Sequence, residues 1–377
     1  MEKDTLEKVV QLRKNLHQEP ELSGKETKTA EKILSFFEPL KPDRTIAKLG
    51  GNGVVFHFKG DEAGPKTLFR AELDGLPIPE KGKSSHKSKF EGLSHTCGHD
   101  GHMAIIAGLG LYLSKNRPRK GEVVLLFQPA EETGEGAEKV LADKKFKELE
   151  FDYAFALHNL PGYDKNQIIL KKGTFAAASK GMVVELTGNT SHAAHPEDGN
   201  SPAEAMSKMI VALQKLPDAM KHFSLITVVH AVLGEITFGT TPGKATIRAT
   251  LRAFDNEVME KLQDYAEKLM ISIAKDYGLT IQVGYTEEFA ATINDPEAWN
   301  FANEAAKKLK LKTKHIRIPF RWSEDFGQFS KVTKTLLFGI GSGKKHPQLH
   351  DGNYDFPDDI LPTGLNLFTQ IIEEIHQ

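Results

Sequence analysis

The sequence predicts an α/β protein in which a small α+β domain is inserted into a larger domain, itself built on a central mixed sheet flanked by helices. Helical and strand signals alternate over about the first 175 residues and resume after residue 294. Between these stretches the order changes to β-α-β-β-α-β, the order of a ferredoxin-like unit. The predicted larger domain therefore comprises 1–177 and 291–377, and the inserted domain comprises 178–290.

The spacing of apolar residues predicts the elements of the larger domain. Leu6, Val9 and Leu16 lie on one face of an opening helix, and a second helix is expected over 26–38. Apolar runs predict strands at 53–58, 67–73, 123–127 and 153–157. After the insertion we expect a helix to Lys308, strands near His315 and Leu336, and a final helix from Pro357.

The inserted domain is predicted in the same way. Its expected strands lie at 182–186, 225–232, 245–253 and 280–283. The helices expected between them lie at 202–216 and 257–274.

Composition excludes several classes of function. The chain has 377 residues, 39% of them hydrophobic, and a formal net charge of −2, which gives no reason to expect nucleic acid or an anionic membrane as a partner. We find no apolar run of about 18 residues that would predict a transmembrane helix. The N-terminal residues lack the apolar core of a secretion signal, so a cytoplasmic location is expected. With one cysteine, Cys97, no internal disulfide can form.

The stretch from Ser94 to His102 contains the most specific chemical pattern. Cys97 and His99 lie two residues apart around a glycine, and a cysteine in such a turn is a plausible soft metal ligand. A buried apolar thiol explains Cys97 equally well when it is considered alone.

Two adjacent carboxylates, Glu131 and Glu132, follow the apolar strand at 123–127. Neighbouring side chains in extended chain point in opposite directions, so one could bind a metal while the other reaches a reacting water. A solvated acidic pair at the start of a helix is the alternative.

Three further residues lie at or beyond predicted strand ends. His158 ends the apolar strand at 153–157, His350 lies near the C-terminus, and Asp74 precedes a turn. Each alone is typical of structural or turn chemistry. Together with the Cys-Gly-His turn and the glutamate pair, they provide the ligands and the spare carboxylate that a two-metal hydrolase needs.

The chain resembles the two-metal peptidase family M20, and within it the amidohydrolase branch. The matching stretches run in the family's order over nearly the whole chain: LRKNLHQEPELSGKETKTAEKI, RAELDGLPIPE, HTCGHDGHMA, FQPAEETGEGA, ALHNLPG, SHAAHPEDG, WSEDFGQF and LHDGNYDFPDDILPTG.

The resemblance implies a role for each candidate residue of the larger domain. Cys97 matches a ligand shared by two metals, Glu131 matches the general base, and Asp74 matches a residue that orients a ligand. The other implied metal ligands are His99, Glu132, His158 and His350. The resemblance therefore implies two divalent ions. Thiolate, imidazole and carboxylate ligands together are compatible with zinc, manganese, nickel or cobalt.

The inserted domain matches the family's lid and dimerisation domain. His192 matches a lid histidine that helps hold the scissile carbonyl oxygen, often from the partner subunit. Arg252 matches an arginine that grips the substrate carboxylate, although Arg248 on the same strand leaves open which arginine binds and which forms a structural ion pair. Gly239 stands where many members carry a substrate-binding asparagine.

The resemblance implies hydrolysis of the N-acyl bond of a small N-acyl amino acid carrying an acetyl, benzoyl or arylacetyl group. It also implies a homodimer or higher oligomer formed through the lid. A dipeptidase or carboxypeptidase is the nearest alternative, against which the cysteine at position 97 favours the amidohydrolase branch. A catalytically silent metal-binding protein is the other alternative, and the intact Glu131 argues against it.

Overall fold

The computed structural model describes residues 3–377, which form two compact units. The larger unit comprises the described residues up to Phe175 together with 292–318 and 325–377, and the smaller unit comprises 176–291 and 319–324. The sequence placed 319–324 in the larger domain. The segment groups instead with the smaller unit, where the Ala177 amide donates hydrogen bonds to its carbonyls.

The strands are, in chain order, β1 (Arg44–Leu49), β2 (Gly53–Lys59), β3 (Glu62–Glu72), β4 (Lys120–Gln128), β5 (Tyr153–Pro161), β6 (Ile168–Leu170), β7 (Gly173–Ala176), β8 (Ala178–Thr187), β9 (Ser224–Leu233), β10 (Lys244–Ala253), β11 (Thr280–Phe289), β12 (Thr292–Asn294), β13 (Thr313–His315) and β14 (Lys334–Gly343). The α-helices are α1 (Lys3–His17), α2 (Thr27–Phe37), α3 (His99–Lys115), α4 (Gly136–Ala142), α5 (Lys144–Lys147), α6 (Ala203–Lys215), α7 (Asn256–Asp276), α8 (Pro296–Lys308) and α9 (Leu361–His376). Short 3-10 helices lie at 38–40, 196–198, 216–219, 325–331 and 358–360.

An eight-stranded mixed sheet forms the centre of the larger unit, in the order β1-β2-β4-β3-β5-β14-β6-β13. Four neighbouring strands, β4, β3, β5 and β14, run parallel to one another. Their carboxyl ends therefore lie along one edge of the sheet, which is where open α/β sheets hold their ligands. Strands β4, β5 and β14 are buried along most of their length, and β3 is buried over its second half, because helices cover the sheet.

Helix α3 packs closely on its neighbours because two of its positions are glycine. A Cβ atom at Gly101 would lie 2.2 Å from the ring of Phe356, and one at Gly110 would lie 2.3 Å from the ring of Phe37. Only a residue without a side chain allows this approach. The close packing fixes the first turn of α3, which begins at His99.

The smaller unit contains an antiparallel sheet in the order β11-β8-β10-β9, with α6 and α7 packed against it. Counted along the chain, this is the strand order 4-1-3-2 of the predicted ferredoxin-like unit. Alternate residues of β10 are buried, beginning with Ala245 and Ile247, as expected for a sheet with one covered face. Strand β9 lies at an edge, and Val229 and Val232 on it are exposed.

Each element predicted from the sequence is present, with bounds that differ from the expected ones by up to six residues. Some short strands were missed or placed only approximately from the sequence, among them β6, β12 and β13. A strand of three residues is too short to show a recognisable alternation of apolar and polar residues. Among residues 3–377, no helix is both long and apolar enough to cross a membrane.

Candidate metal centre

Several predicted site residues lie at or beyond the carboxyl ends of the parallel strands. Asp74 lies two residues beyond β3, Glu131 and Glu132 lie just beyond β4, and His158 is in the last part of β5. His350 lies in the loop that follows β14. Residues far apart in the chain therefore meet at one edge of the sheet.

Cys97, His99 and His158 form a buried group whose candidate ligand atoms all lie within 4.8 Å of one another. Cys97 Sγ lies 3.6 Å from His158 Nε2. The Nδ1 atom of His158 is hydrogen-bonded to the Asn159 carbonyl at 2.9 Å. Since a carbonyl can only accept, this bond places the proton on Nδ1 and leaves the Nε2 lone pair directed toward the thiol.

A second group joins Cys97 to Glu132 and His350, again with ligand atoms within 4.8 Å. The His350 Nε2 atom lies 3.6 Å from Glu132 Oε2. His350 occupies the left-handed region with φ of 65°, and its amide donates to the Thr96 carbonyl at 2.9 Å. Cys97 therefore belongs to both groups, with two different ligands on either side of it.

His99 is fully buried, and its Nδ1, like that of His158, is bonded to a backbone carbonyl. The bond runs to the Asp74 carbonyl at 2.8 Å, so Nδ1 carries a proton and Nε2 is the ring atom left for a ligand. That Nε2 has no hydrogen-bond partner among the described residues, and it faces Glu131 at 3.7 Å and Glu132 at 3.8 Å. A buried ring nitrogen without a hydrogen-bond partner, facing two carboxylates beyond hydrogen-bond distance, fits a site for a cation.

The electrostatics of the two histidines also fit a cation. Burial lowers the pKa of His99, but the hydrogen bond that its ring donates to Asp74 and the charges of Glu72 and Glu132 outweigh burial and raise it to about 10. Negative charge is therefore concentrated around His99. Burial and the neighbouring His102 lower the pKa of His158 to about 3, so its imidazole is neutral and able to ligate.

Asp74 holds two elements of the site. Its Oδ2 accepts a hydrogen bond of 3.0 Å from the Glu132 amide and one of 2.7 Å from Ser23 Oγ. Burial opposes ionisation of Asp74, but the contacts with His99, Ser23 and Glu132 keep its pKa below the usual value. An ionised Asp74 thus orients both His99 and the backbone that carries Glu132.

Glu131 is almost completely buried, and its Oε1 accepts a hydrogen bond of 3.4 Å from the amide of Asp325. Its Oε2 lies on the side of His99, as described above. The carboxylate is therefore next to the metal-ligand groups without belonging to either group that contains Cys97.

The structure adds a buried polar network that the sequence did not single out. Arg70 is hydrogen-bonded to Glu72, to Asp325 and, at 3.0 Å, to Gln128 Oε1. Glu72 Oε2 in turn lies 2.7 Å from His102 Nδ1. The one available signal was the His99–His102 spacing, which places both histidines on one face of α3.

The network continues across the sheet, since His102 Nε2 is hydrogen-bonded to Asn159, which donates to the Tyr354 hydroxyl. Glu72 is thus a central member of the network. It links the end of β3 to the residue that follows His158.

His192 and Arg252 lie in the smaller unit, apart in the chain from the groups just described. The His192 side chain is exposed, and its Nδ1 accepts a hydrogen bond of 3.0 Å from the Ala194 amide. Arg252 Nη1 donates to Ser323 Oγ and to the Arg321 carbonyl, each at 2.9 Å. No described acidic side chain forms an ion pair with Arg252 or with the exposed Arg248.

Gly239 lies beside the His192 loop, where its carbonyl accepts a hydrogen bond of 3.1 Å from the Ala193 amide. A Cβ atom at Gly239 would have one neighbour, Thr237 Oγ1 at 3.9 Å. A side chain therefore fits at this position, and its absence is not a requirement of the local backbone.

The sequence profile described as peptidase family M20/M25/M40 matches residues 68–374. The chain belongs to this family. It is 30% identical over 364 residues to a hippurate hydrolase of Campylobacter jejuni, covering 96% of this chain and 94% of the relative. It is 34% identical over 354 residues to an N-acetyl-L-cysteine deacetylase of Bacillus subtilis, covering 92% of this chain and 83% of the relative.

A solved structure from Bacillus subtilis, described as a dinuclear metal binding peptidase from the M20 family, superposes with a TM-score of 0.84. The two sequences are 26% identical, and the superposed region covers 99% of this M20 chain and 98% of the solved chain. These matches confirm the predicted family, the α/β fold class and the prediction of a metal-dependent amide hydrolase. They also support a metal centre, while the kind of metal and the roles of individual residues stay predictions.

Proposed function

We propose that this M20 protein hydrolyses the amide bond of small N-acyl amino acids, releasing a carboxylic acid and a free amino acid. The observation that carries the proposal is the position of Cys97 in two ligand groups, with the spare carboxylate of Glu131 beside them. The relatives named above support the substrate class, since hippurate and N-acetyl-L-cysteine are both N-acyl amino acids.

Two divalent ions would be held by these groups and would share the Cys97 thiolate. His99 and His158 would complete one site, and Glu132 and His350 the other. Thiolate, imidazole and carboxylate together suit zinc, with manganese, nickel and cobalt as the other candidates. When bound, the ions polarise the substrate carbonyl and lower the pKa of water.

Glu131 acts as the general base and then as the general acid. It takes a proton from the attacking water and passes it to the amide nitrogen as the carbon–nitrogen bond breaks. Its location supports this role, because one oxygen is held by the Asp325 amide while the other lies on the side of His99.

His192 donates a hydrogen bond to the oxyanion that forms during the attack. Since its Nδ1 accepts from the Ala194 amide, the neutral ring carries its proton on Nε2. An exposed Nε2–H is therefore available as a donor, which is what oxyanion stabilisation requires.

Arg252 binds the carboxylate on the amino-acid half of the substrate. One of its nitrogens, Nη1, is used by Ser323 and Arg321. The remaining guanidinium N–H groups form no hydrogen bond to any described residue, so they can meet a planar carboxylate.

We further propose a cytoplasmic homodimer formed through the smaller unit. The exposed apolar side chains on and next to β9 support this, since an apolar edge strand favours pairing with a second chain: Val229, Val232, Leu233, Ile236 and Phe238.

The test is release of free amino acid from N-acetyl, N-benzoyl and indole-acetyl amino acids, after stripping and reloading with zinc, manganese, nickel or cobalt. Metal-dependent turnover is expected, and Glu131→Gln should lower kcat by at least about 100-fold while the bound metal is unchanged. Light scattering on the same preparation tests the dimer, which a mass of one chain would contradict.

Absence of turnover in folded, metal-loaded protein would overturn the proposed substrate class. Turnover of dipeptides alone would instead support the peptidase alternative. Equal activity of wild type and Glu131→Gln would remove Glu131 from the reaction.

A further inference from the structure

Asn159 directly follows the proposed ligand His158 in the last part of strand β5, and it is fully buried. Its backbone carbonyl accepts the hydrogen bond of 2.9 Å from His158 Nδ1. The backbone of Asn159 thus orients the His158 ring. Its side chain makes contacts of a different kind, all of them with residues of the larger unit.

The side-chain amide of Asn159 packs against the turn that carries two other proposed ligands. Gly98 separates Cys97 from His99, and a Cβ atom at Gly98 would lie 2.6 Å from Asn159 Oδ1 and 2.8 Å from Asn159 Nδ2. Since Cβ atoms do not approach heavy atoms so closely, no space remains between the amide and the backbone of the turn. The Asn159 side chain therefore determines how near the turn can come to the end of β5.

Two hydrogen bonds hold this amide in place. Asn159 Oδ1 is bonded to Nε2 of His102, which lies one turn after His99 in α3. Asn159 Nδ2 donates to the hydroxyl of Tyr354, which is also buried. His102 is itself fixed on its other side, where its Nδ1 lies 2.7 Å from Glu72 Oε2. The amide is therefore held both by the helix and by the loop that follows β14.

The other bonds of the ligands do not replace this contact. The His99 ring and the His350 amide are each bonded to a backbone carbonyl outside β5. Neither bond sets the separation between His158 and the turn. The distance that depends on the Asn159 side chain is the one between Cys97 Sγ and His158 Nε2, which is 3.6 Å.

We propose that Asn159 is a positioning residue for the metal site formed by Cys97, His99 and His158. Its side chain keeps His158 at the distance from the turn at which one cation can contact all three ligands. The other proposed site shares only Cys97 with this one, so it depends on Asn159 much less. This inference rests on the proposed two-metal function, and it assigns a role to an asparagine that is not itself a ligand.

Zinc titration by calorimetry compares wild type with Asn159→Ala after metal removal, with metal content checked by mass spectrometry. We expect one of the two zinc sites to weaken by about 10- to 100-fold, as when other residues that orient metal ligands are lost, and the second site to change by less than about threefold. In cobalt-loaded protein, the visible spectrum should also change, since it reports the coordination geometry.

Double variants identify which site is weakened. In a His158→Ala background, where that ligand is already absent, Asn159→Ala should not weaken zinc binding further. In a His350→Ala background, Asn159→Ala should still weaken the remaining site by about 10-fold or more.

Tyr354→Phe is a milder change that tests the same contact. It removes one of the two hydrogen bonds of the Asn159 amide without leaving a large cavity. We expect it to weaken the same zinc site by about threefold, because the amide is then held from one side only.

Asn294→Ala is the matched control, because Asn294 is a buried asparagine of the same unit whose side chain is also hydrogen-bonded at both ends. Its Nδ2 donates to the carbonyls of Lys171 at 2.9 Å and Leu337 at 2.8 Å, and its Oδ1 accepts from the Leu337 amide at 2.7 Å. Both alanine variants should lower the melting temperature, since each leaves buried polar groups unpaired. Only Asn159→Ala should lower zinc affinity.

Three results would overturn the inference: wild-type affinity at both sites in Asn159→Ala, an additional loss in the His158→Ala background, or an equal loss of affinity in Asn294→Ala. If Asn159→Ala does not fold, wild-type zinc binding by Tyr354→Phe rejects the role of Asn159. Wild type that binds two zinc ions but hydrolyses no N-acyl amino acid rejects the proposed substrate class alone. Wild type that binds no zinc rejects both.

Discussion

At the scale of single residues, the hydrogen bonds at Nδ1 of three histidines suit two separate tasks. His99 and His158 have Nδ1 bound to a backbone carbonyl, so in each ring Nε2 is the atom left to bind a metal. His192 has Nδ1 bound to a backbone amide, so it presents an Nε2 proton instead. The backbone group bonded to Nδ1 therefore indicates whether Nε2 suits a metal ligand or a hydrogen-bond donor.

This difference leads to a prediction for His192. If its Nε2 proton stabilises the oxyanion, His192→Ala should lower kcat by about 100-fold or more without changing bound metal. His195→Ala is the matched control, because His195 is an exposed histidine in the same loop. Steady-state kinetics on an N-acyl amino acid provide the measurement, and equal losses in the two variants would count against an oxyanion role.

At the scale of elements, a buried ionic cluster joins α1 to α3. His17 is hydrogen-bonded to Asp100 at 2.9 Å, and Arg13 also pairs with Asp100. Burial lowers the pKa of His17, but the charge and hydrogen bond of Asp100, with a contribution from Glu80, raise it to about 10. Because Asp100 directly follows His99, the cluster supports the first turn of α3.

The raised pKa gives a stability prediction with a definite sign. A charged His17 stabilises the fold fully below its ordinary pKa of 6.5, and the contribution is lost as pH rises through about 10. His17→Gln should therefore lower the free energy of unfolding by about 3 kcal/mol at pH 6, with a smaller difference from wild type near pH 10. Urea unfolding at both pH values measures this difference, and a gap that widens with pH would contradict the assignment.

The strong local patterns of this chain predicted its long elements and singled out candidate ligands that lie close together in the structure. Cys97 and His99 share a turn, and Glu131 and Glu132 directly follow a strand, so their proximity is largely local. Hydrogen-bond partners that only the tertiary fold brings together were not predictable in this way. The bonds of Asp325 to Gln128 and of Ser323 to Arg252 join residues far apart in the chain, and no spacing rule connects them.

At the scale of the whole molecule, the residues to which the proposed function assigns roles lie in two units. The larger unit contains the metal-ligand groups and Glu131, and the smaller unit contains His192 and Arg252. The prediction kept 319–324 with the larger domain because the segment lies between α/β elements of that domain. Its backbone bonds to Ala177 place it in the smaller unit, which a hydropathy pattern cannot reveal.

The central claim for the molecule is that Cys97 is shared by two metal ions. Zinc titration by calorimetry, with metal content checked by mass spectrometry, tests it on wild type, Cys97→Ala, His158→Ala and His350→Ala. We predict two ions per chain in wild type, one weakened site in each histidine variant, and two weakened sites in Cys97→Ala. A Cys97→Ala protein that keeps one site at wild-type affinity would contradict the account, because the cysteine would then belong to a single ion.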